Sequence, residues 1–106
     1  MEIGADVALI KRFEGKEENF YRKFLQPSEY AEFSAFASEK RRREYAAGRW
    51  AGKEAIFKAT QDERYLEYEI LGDEKGKPYV AGRPELKISI SHDGEYAFAV
   101  VIKNDI

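Results

Sequence analysis

Apolar and polar residues alternate in two parts of this chain and follow a helical repeat between them. Residues 2–10 alternate as in a β-strand, and Asp6 is a carboxylate inside a mostly apolar run. The helical part begins near residue 20 and ends at Thr60. Asn19 and Ser38 are the predicted N-caps of its first and last helices, because short polar side chains satisfy free backbone N–H groups there. The predicted helices are 20–25, one that begins at Pro27, and 39–60.

After Thr60 the alternation of strands returns. The predicted strands are 65–70, 77–80, 86–91 and 96–103. Residues 92–95 contain Asp93-Gly94, which favours a tight hairpin between the last two strands. The last strand is apolar at nearly every position and is predicted to be buried on both faces, and residues 104–106 are expected to be loose. The pattern therefore predicts one α+β domain over 1–106, with an N-terminal strand, three helices and then antiparallel strands.

Composition narrows the class of protein. A length of 106 residues suits one domain, and a net charge of −2 does not indicate general nucleic-acid affinity. The sequence has no cysteine, which excludes disulfides and thiolate chemistry and fits a reducing compartment. The longest apolar run, 96–102, is too short to cross a bilayer, and no signal-peptide pattern begins the chain. We therefore expect a cytoplasmic protein that binds neither membrane nor nucleic acid.

Candidate chemistry centres on Asp6 and on Glu54 and Lys58 of the long helix. Two carboxylates from separate elements suit Mg²⁺, and a lysine one turn from such a carboxylate can bind a phosphate. Structural alternatives stay open: Asp6 as a strand-end residue in water, and Glu54–Lys58 as an ordinary i,i+4 helix pair. Trp50, with Ala47 and Ala51 on the same face, is expected to line a ligand.

Basic residues offer further phosphate contacts. Arg49 and the sole histidine, His92, are candidates, together with the run 40–43 near the start of the long helix. That run has a second interpretation as a solvated helix face. His92 likewise has a second interpretation as a surface residue in a hairpin turn.

Three motifs in order resemble one family, the small bacterial 4′-phosphopantetheinyl transferases known as holo-acyl-carrier-protein synthases. The motifs are Ile3-Gly4-Ala5-Asp6-Val7; the helix from Glu39 through Arg49-Trp50-Ala51-Gly52-Lys53-Glu54-Ala55 to Lys58; and Gly76-Lys77-Pro78-Tyr79 followed by Ile88-Ser89-Ile90-Ser91-His92. Together they span nearly the whole chain.

The resemblance implies a reaction and a partner for each candidate residue. The family moves the 4′-phosphopantetheine arm of coenzyme A onto a serine of apo-acyl-carrier protein, with Mg²⁺, and releases adenosine 3′,5′-bisphosphate. By analogy, Asp6 and Glu54 are the metal ligands, and Glu54 and Lys58 are the catalytic residues. Coenzyme A is expected to contact Arg49, Lys58, His92 and Lys40. The carrier protein is expected to contact Arg12, Arg22 and Lys23.

The same resemblance implies a homotrimer with shared sites, in which the strand 89–92 reaches the site of the neighbouring subunit. One departure stands out: the family has a glycine-rich segment after its signature helix, whereas residues 60–64 here are polar and contain no glycine. The main hypothesis is a transferase that serves fatty-acid synthesis, and two alternatives remain open. One is the same chemistry on a different carrier domain, such as one from a polyketide pathway. The other is a non-catalytic module that docks acidic carriers or RNA.

Overall fold

The structure, a computed structural model, describes residues 1–105 and leaves Ile106 outside the description. Its elements follow the predicted order of strand, helices and strands, so the α+β prediction is confirmed. The strands are β1 (Glu2–Leu9), β2 (Ile70–Gly72), β3 (Pro78–Val80), β4 (Leu86–Asp93) and β5 (Tyr96–Lys103). The helices are α1 (Glu18–Arg22), α2 (Pro27–Ala35) and α3 (Glu39–Thr60), with short 3₁₀ turns at Ile10–Phe13 and Tyr65–Glu67.

The long helix α3 packs on an antiparallel sheet of order β1-β5-β4, while β2 and β3 form a separate hairpin. Ser38 caps α3 as predicted, since its hydroxyl accepts from the Arg41 N–H at 3.2 Å. Gly4 allows β1 to lie directly on the helix. A Cβ at Gly4 would lie 2.1 Å from the carbonyl oxygen of Ala55 and 2.7 Å from the backbone nitrogen of Ala59. Only glycine permits this approach, because backbone atoms cannot move aside.

The two faces of the sheet differ in exposure. Gly4 and Ala8 face α3 and are buried, whereas Ile3 and Val7 on the other face are 66% and 49% exposed. Strand β5 alternates in the same way, with Phe98 47% exposed. The prediction that β5 is buried on both faces is therefore wrong for the single chain, and one apolar face of the sheet is open.

A buried ion pair joins α2 to α3. Lys53 Nζ lies 2.7 Å from Glu29 Oε1, and neither side chain is exposed. Glu29 belongs to a capping box at the start of α2, where its Oε1 accepts from the Gln26 N–H, and its Oε2 accepts from the Ile70 N–H. Burial lowers the pKa of Lys53, and the adjacent Glu29 carboxylate opposes that shift. The pair ties two helices and the first residue of β2 into one unit.

Several predicted boundaries are wrong. Helix α1 starts at Glu18 with Glu17 as its N-cap, so Asn19 is not the cap. The predicted strand 65–70 is a 3₁₀ turn followed by a strand that begins only at Ile70. The predicted loose end is anchored as far as it is described. The Asn104 N–H donates to the Glu85 carbonyl, Asp105 pairs with the N-terminal ammonium, and Ile106 lies outside the described residues.

Among the helices of residues 1–105, none combines the length and apolar character needed to cross a membrane.

Candidate active site

Asp6 and Lys58 are brought together by the packing of β1 on α3. Lys58 Nζ donates to Asp6 Oδ1 and to the Ala5 carbonyl, each at 3.0 Å. The Asp6 side chain is 20% exposed and the Lys58 side chain 50% exposed. Residues two apart on a strand share a face, so the close approach at Gly4 also holds Asp6 against the helix. The ammonium group is thus fixed at a carboxylate that remains partly open to solvent.

Glu54 lies one turn before Lys58 on α3 and is half-buried. Its Oε1 accepts a hydrogen bond from the Tyr65 hydroxyl at 3.4 Å. Burial raises the pKa of the Tyr65 hydroxyl, and the neighbouring Glu54 carboxylate adds to the shift. Within residues 1–105 no ion pair joins Glu54 to Lys58, so the alternative of an ordinary helix pair is wrong. The lysine instead bonds to Asp6.

A cavity of about 470 Å³ contains Asp6 and Lys58. Ser89 and Ser91 of β4 line it as well, and the remaining walls come from β1 and β5. The hydroxyls of one chain therefore already share a cavity with the carboxylate and the ammonium of that chain.

Arg49 and His92 lie in a second cavity of about 510 Å³. Arg49 is buried and engaged: Nε donates to the Ile70 carbonyl at 2.9 Å, and the guanidinium lies 4.0 Å from the Tyr45 ring centroid. His92 belongs to strand β4 and not to the hairpin turn, which corrects its predicted setting. Its Nδ1 lies 3.7 Å from Glu44 Oε2.

The basic run at the start of α3 contributes one residue to this second cavity. Arg41 lines it, whereas Lys40 is exposed and lies outside its lining. Arg42 forms an ion pair with Glu39 at 3.2 Å and donates a hydrogen bond to the Phe36 carbonyl. Of the predicted run 40–43, the structure thus places Arg41 in the cavity, one helical turn before Glu44 and Tyr45, while the role of Lys40 stays a prediction.

The three residues expected to bind the carrier are all exposed. Arg22 pairs with Glu18 at 2.6 Å and stacks 3.9 Å from the Tyr30 ring centroid. The Arg12 guanidinium lies 5.7 Å from the Phe13 ring centroid, and Lys23 lies just after α1. The surface around α1 thus presents these basic side chains beside a small cavity of about 280 Å³, which Glu18 and Tyr21 of α1 help to line.

The expected ligand-lining face of α3 is core. Ala47 and Ala51 have no exposed surface. The Trp50 ring lies 5.3 Å from Phe24 and 6.5 Å from Phe13, between ring centroids. The prediction is therefore wrong for Ala47 and Ala51, which no ligand can reach, whereas Trp50 packs on the core and stays partly exposed.

The donor set fits a magnesium ion that keeps much of its own shell. Asp6 and Glu54 supply hard carboxylate oxygens, and Lys58 at Asp6 indicates a position that favours positive charge. Among residues 1–105 no three acidic or histidine side chains cluster around one point. Two protein ligands with waters and substrate phosphate oxygens are the usual arrangement for Mg²⁺, which seldom occupies an all-protein cage.

Similarity to known proteins extends over almost the whole chain. Residues 2–101 match the family described as the 4′-phosphopantetheinyl transferase superfamily. A holo-[acyl-carrier-protein] synthase from Streptococcus equi subsp. zooepidemicus is 39% identical over 108 residues, which cover 95% of this chain and 91% of that protein.

Two solved structures share the fold. A holo-(acyl-carrier-protein) synthase from Bacillus anthracis in complex with CoA (3′,5′-ADP) has a TM-score of 0.83 and 31% identity, over 98% of this chain and 96% of that one. The Helicobacter pylori holo-[acyl-carrier-protein] synthase in complex with coenzyme A has a TM-score of 0.74 and 31% identity, over 96% and 99%.

Proposed function

Because the chain belongs to the 4′-phosphopantetheinyl transferase superfamily, among its holo-acyl-carrier-protein synthases, we propose that it modifies apo-acyl-carrier protein from coenzyme A with Mg²⁺. Membership makes the chain a phosphopantetheinyl transferase. The similar proteins crystallised with coenzyme A support coenzyme A as the donor substrate. The observation that carries the assignment of the site is the Lys58–Asp6 contact at 3.0 Å, one helical turn from Glu54.

The proposed step is a displacement at phosphorus. The serine hydroxyl oxygen of the carrier attacks the phosphorus that bears the pantetheine arm. The bond from that phosphorus to the bridging pyrophosphate oxygen breaks, and adenosine 3′,5′-bisphosphate leaves. Glu54, a half-buried carboxylate, accepts the proton of the serine hydroxyl.

Asp6 and Glu54 are the proposed ligands of the metal. When bound, Mg²⁺ supplies neutralisation of the charge on the pyrophosphate oxygens. Lys58 acts as a point charge on the transferred phosphate, for which its half-exposed side chain is well placed. A cation held by Asp6 would shift the Lys58 ammonium from Asp6 Oδ1 toward the phosphate, because like charges repel.

The second cavity is the proposed site for the nucleotide phosphates. Arg49, Arg41 and His92 line it and supply N–H donors for phosphate oxygens, but the carboxylates of Glu32, Glu44 and Asp73 line it too. Glu32 pairs with Arg49 and Glu44 lies beside His92, so a bound phosphate would replace these carboxylates at the two donors. Since Arg49 is held by the Ile70 carbonyl, it is a fixed donor rather than a mobile one. Lys40 stays a weaker candidate at the rim because it is exposed.

A homotrimer with shared sites is part of the proposal. Within one chain, Asp6 and Lys58 line one cavity while Arg49 and His92 line another, so a single coenzyme A has no single cavity with all four. The open apolar face of the sheet, with Ile3, Val7 and Phe98, supplies a surface for association. Within the single chain, Ser89 and Ser91 line the first cavity and His92 the second, and the reach of 89–92 into the site of a neighbouring subunit stays a prediction.

The proposal includes three further points. The chain is a single transferase domain over 1–106, it docks the carrier through Arg12, Arg22 and Lys23, and it works in the cytoplasm. Exposed positive charge on and around α1 favours an acidic partner and speeds encounter. The cysteine-free sequence is compatible with a reducing compartment. The proposed acceptor is the acyl-carrier protein of fatty-acid synthesis.

The test is mass spectrometry of apo-acyl-carrier protein incubated with coenzyme A, Mg²⁺ and the protein. We expect the carrier to gain one phosphopantetheine group and an equal amount of adenosine 3′,5′-bisphosphate to appear. No gain on carriers from fatty-acid and polyketide systems would overturn the proposal. Gain on a polyketide carrier alone would move the assignment to that substrate class.

A further inference from the structure

The segment after α3 replaces the glycine-rich stretch of the family with a run fixed by its own side chains. The Thr60 hydroxyl donates to the Ile56 carbonyl at 2.7 Å and accepts from the Asp62 N–H at 3.1 Å. The Tyr68 hydroxyl donates to Asp62 Oδ2 at 2.6 Å. Arg64 contacts both carboxylate oxygens of Glu67, at 2.7 and 2.9 Å. A segment with this many internal bonds holds the residues between them in defined positions.

Tyr65 lies in the middle of that segment and reaches back to α3. Its hydroxyl is 3.4 Å from Glu54 Oε1, and its ring centroid is 5.2 Å from that of Phe57. The Tyr65 hydroxyl is the donor of this contact, because a carboxylate oxygen only accepts. The ring contact with Phe57 fixes the direction from which that donor approaches Glu54.

The backbone beside Tyr65 is held by the buried ion pair. Lys53 Nζ donates to the Leu66 carbonyl at 2.9 Å while it contacts Glu29 at 2.7 Å. The Gln26 side-chain amide donates to the same Leu66 carbonyl at 3.1 Å. Lys53 immediately precedes Glu54 on the helix. Adjacent residues of α3 thus hold the turn at two consecutive positions, Leu66 by its carbonyl and Tyr65 by its hydroxyl.

We propose that Tyr65 is a positioning residue for the reaction, and that its hydroxyl orients the Glu54 carboxylate toward the acceptor serine and the metal. A glutamate has three rotatable side-chain bonds, and a bond to Oε1 removes much of that freedom while Oε2 remains available. This orienting contact comes from the segment in which the chain departs from its family. The inference rests on the proposed function, because it assigns Tyr65 through the role of Glu54.

The test compares Tyr65→Phe with Tyr68→Phe. Both variants remove one hydroxyl from a half-buried tyrosine of the same segment, but the Tyr68 hydroxyl bonds to Asp62 and not to Glu54. Binding of Mn²⁺, as a probe for the metal, is measured by electron paramagnetic resonance with saturating coenzyme A and no carrier. The binding of Mn²⁺ to coenzyme A alone is subtracted. Transfer kinetics with Mg²⁺ and carrier then give kcat and KM.

For Tyr65→Phe we expect Mn²⁺ affinity and kcat each to fall about fivefold to tenfold, the loss typical of one ordinary hydrogen bond, with the KM for coenzyme A little changed. Tyr68→Phe should match the wild type in both measurements. Wild-type values for Tyr65→Phe would overturn the inference, and so would equal losses in the two variants, since equal losses indicate general loosening of the segment. Absence of transfer by the wild type would instead contradict the proposed function, which keeps the two failures distinct.

Discussion

The ammonium group of Lys58 lies 3.0 Å from Asp6 Oδ1, across the contact between the first strand and the long helix. In sequence the two residues are 52 apart, and Lys58 has Glu54 as its nearer acidic neighbour on the helix. The fold therefore pairs Lys58 with Asp6, the carboxylate that is proposed to bind a metal, and not with Glu54. This pairing keeps Asp6 compensated when no metal is present.

Removal of Lys58 should separate metal binding from turnover. In Lys58→Met, Asp6 loses the cation that competes with a metal, so Mn²⁺ affinity without coenzyme A should rise severalfold. The kcat should fall at least about tenfold, because the ammonium group that stabilises the transferred phosphate is gone. Electron paramagnetic resonance gives the first quantity and carrier modification the second. Lys75→Met, in the exposed turn between β2 and β3, is the control. A fall in both quantities would contradict the exchange of Lys58 between Asp6 and phosphate.

Loss of the buried lysine should destabilise the fold. Lys53→Met leaves the Glu29 carboxylate buried without its cation and should lower the free energy of unfolding by about 3 kcal/mol. Urea denaturation followed by the fluorescence of Trp50, the single tryptophan, measures this change. The same substitution at the half-exposed Lys58 should cost less than about 1 kcal/mol. Equal losses at the two positions would argue against the importance of the buried pair.

Alkaline pH should weaken the fold through Tyr45. Burial, opposed by Arg49 and reinforced by the hydrogen bond to Glu32, raises the pKa of Tyr45 above the phenol value. In the unfolded chain this hydroxyl ionises near pH 10, so the folded state holds the proton longer. The contribution of Tyr45 to the free energy of unfolding is therefore fully present below about pH 10 and is lost as pH rises above it.

The matching measurement is the free energy of unfolding between pH 9 and 11, recorded in urea. Tyr45→Phe should flatten the alkaline decline but not abolish it, since the pKa values of Tyr65 and Tyr68 are also raised. Tyr79→Phe, at a residue 46% exposed, should leave the slope as in the wild type. An unchanged slope in Tyr45→Phe would contradict the assignment.

Association should depend on the open face of the sheet. Size-exclusion chromatography with light scattering is expected to give the mass of three chains. Val7→Lys places a charge on a face that is 49% exposed in the single chain, and should yield a smaller species with lost transfer activity. Lys87→Glu, an exposed change on β4, which β5 separates from β1 in the same sheet, tests whether the polar part of the face contributes. A wild-type monomer with full activity would exclude a shared site.

Much of the fold could be predicted from local patterns. The limits of α3 and its Ser38 cap, the Pro27 start of α2 and the hairpin at Asp93-Gly94 all depend on residues near in sequence, and each is confirmed. The face of β1 that packs on α3 could not be inferred from hydrophobicity. The larger residues Ile3 and Val7 lie outward, because the close approach at Ala55 requires glycine and alanine.

Long-range contacts decided the rest. Residues 65–70 alternate like a strand, but Lys53 captures the Leu66 carbonyl and Phe57 packs on Tyr65, which turns the backbone into a 3₁₀ turn. The resemblance to a family predicted Asp6, Glu54 and Lys58 as a group, and the structure brings Asp6 and Lys58 into contact. The Tyr65 donor to Glu54 had no signal in the sequence, since it depends on the 3₁₀ conformation that long-range contacts impose on this segment.

The most direct test of the central claim is a time course of carrier modification by wild type and Glu54→Gln, read by mass spectrometry with Mg²⁺ and coenzyme A. We predict that the wild type adds one phosphopantetheine group per carrier. Glu54→Gln should fold to the same melting temperature within a few degrees but transfer at least about 100 times more slowly, because it lacks the proton acceptor. A folded Glu54→Gln variant with wild-type rates, or a wild type that leaves the carrier unmodified, would contradict the account.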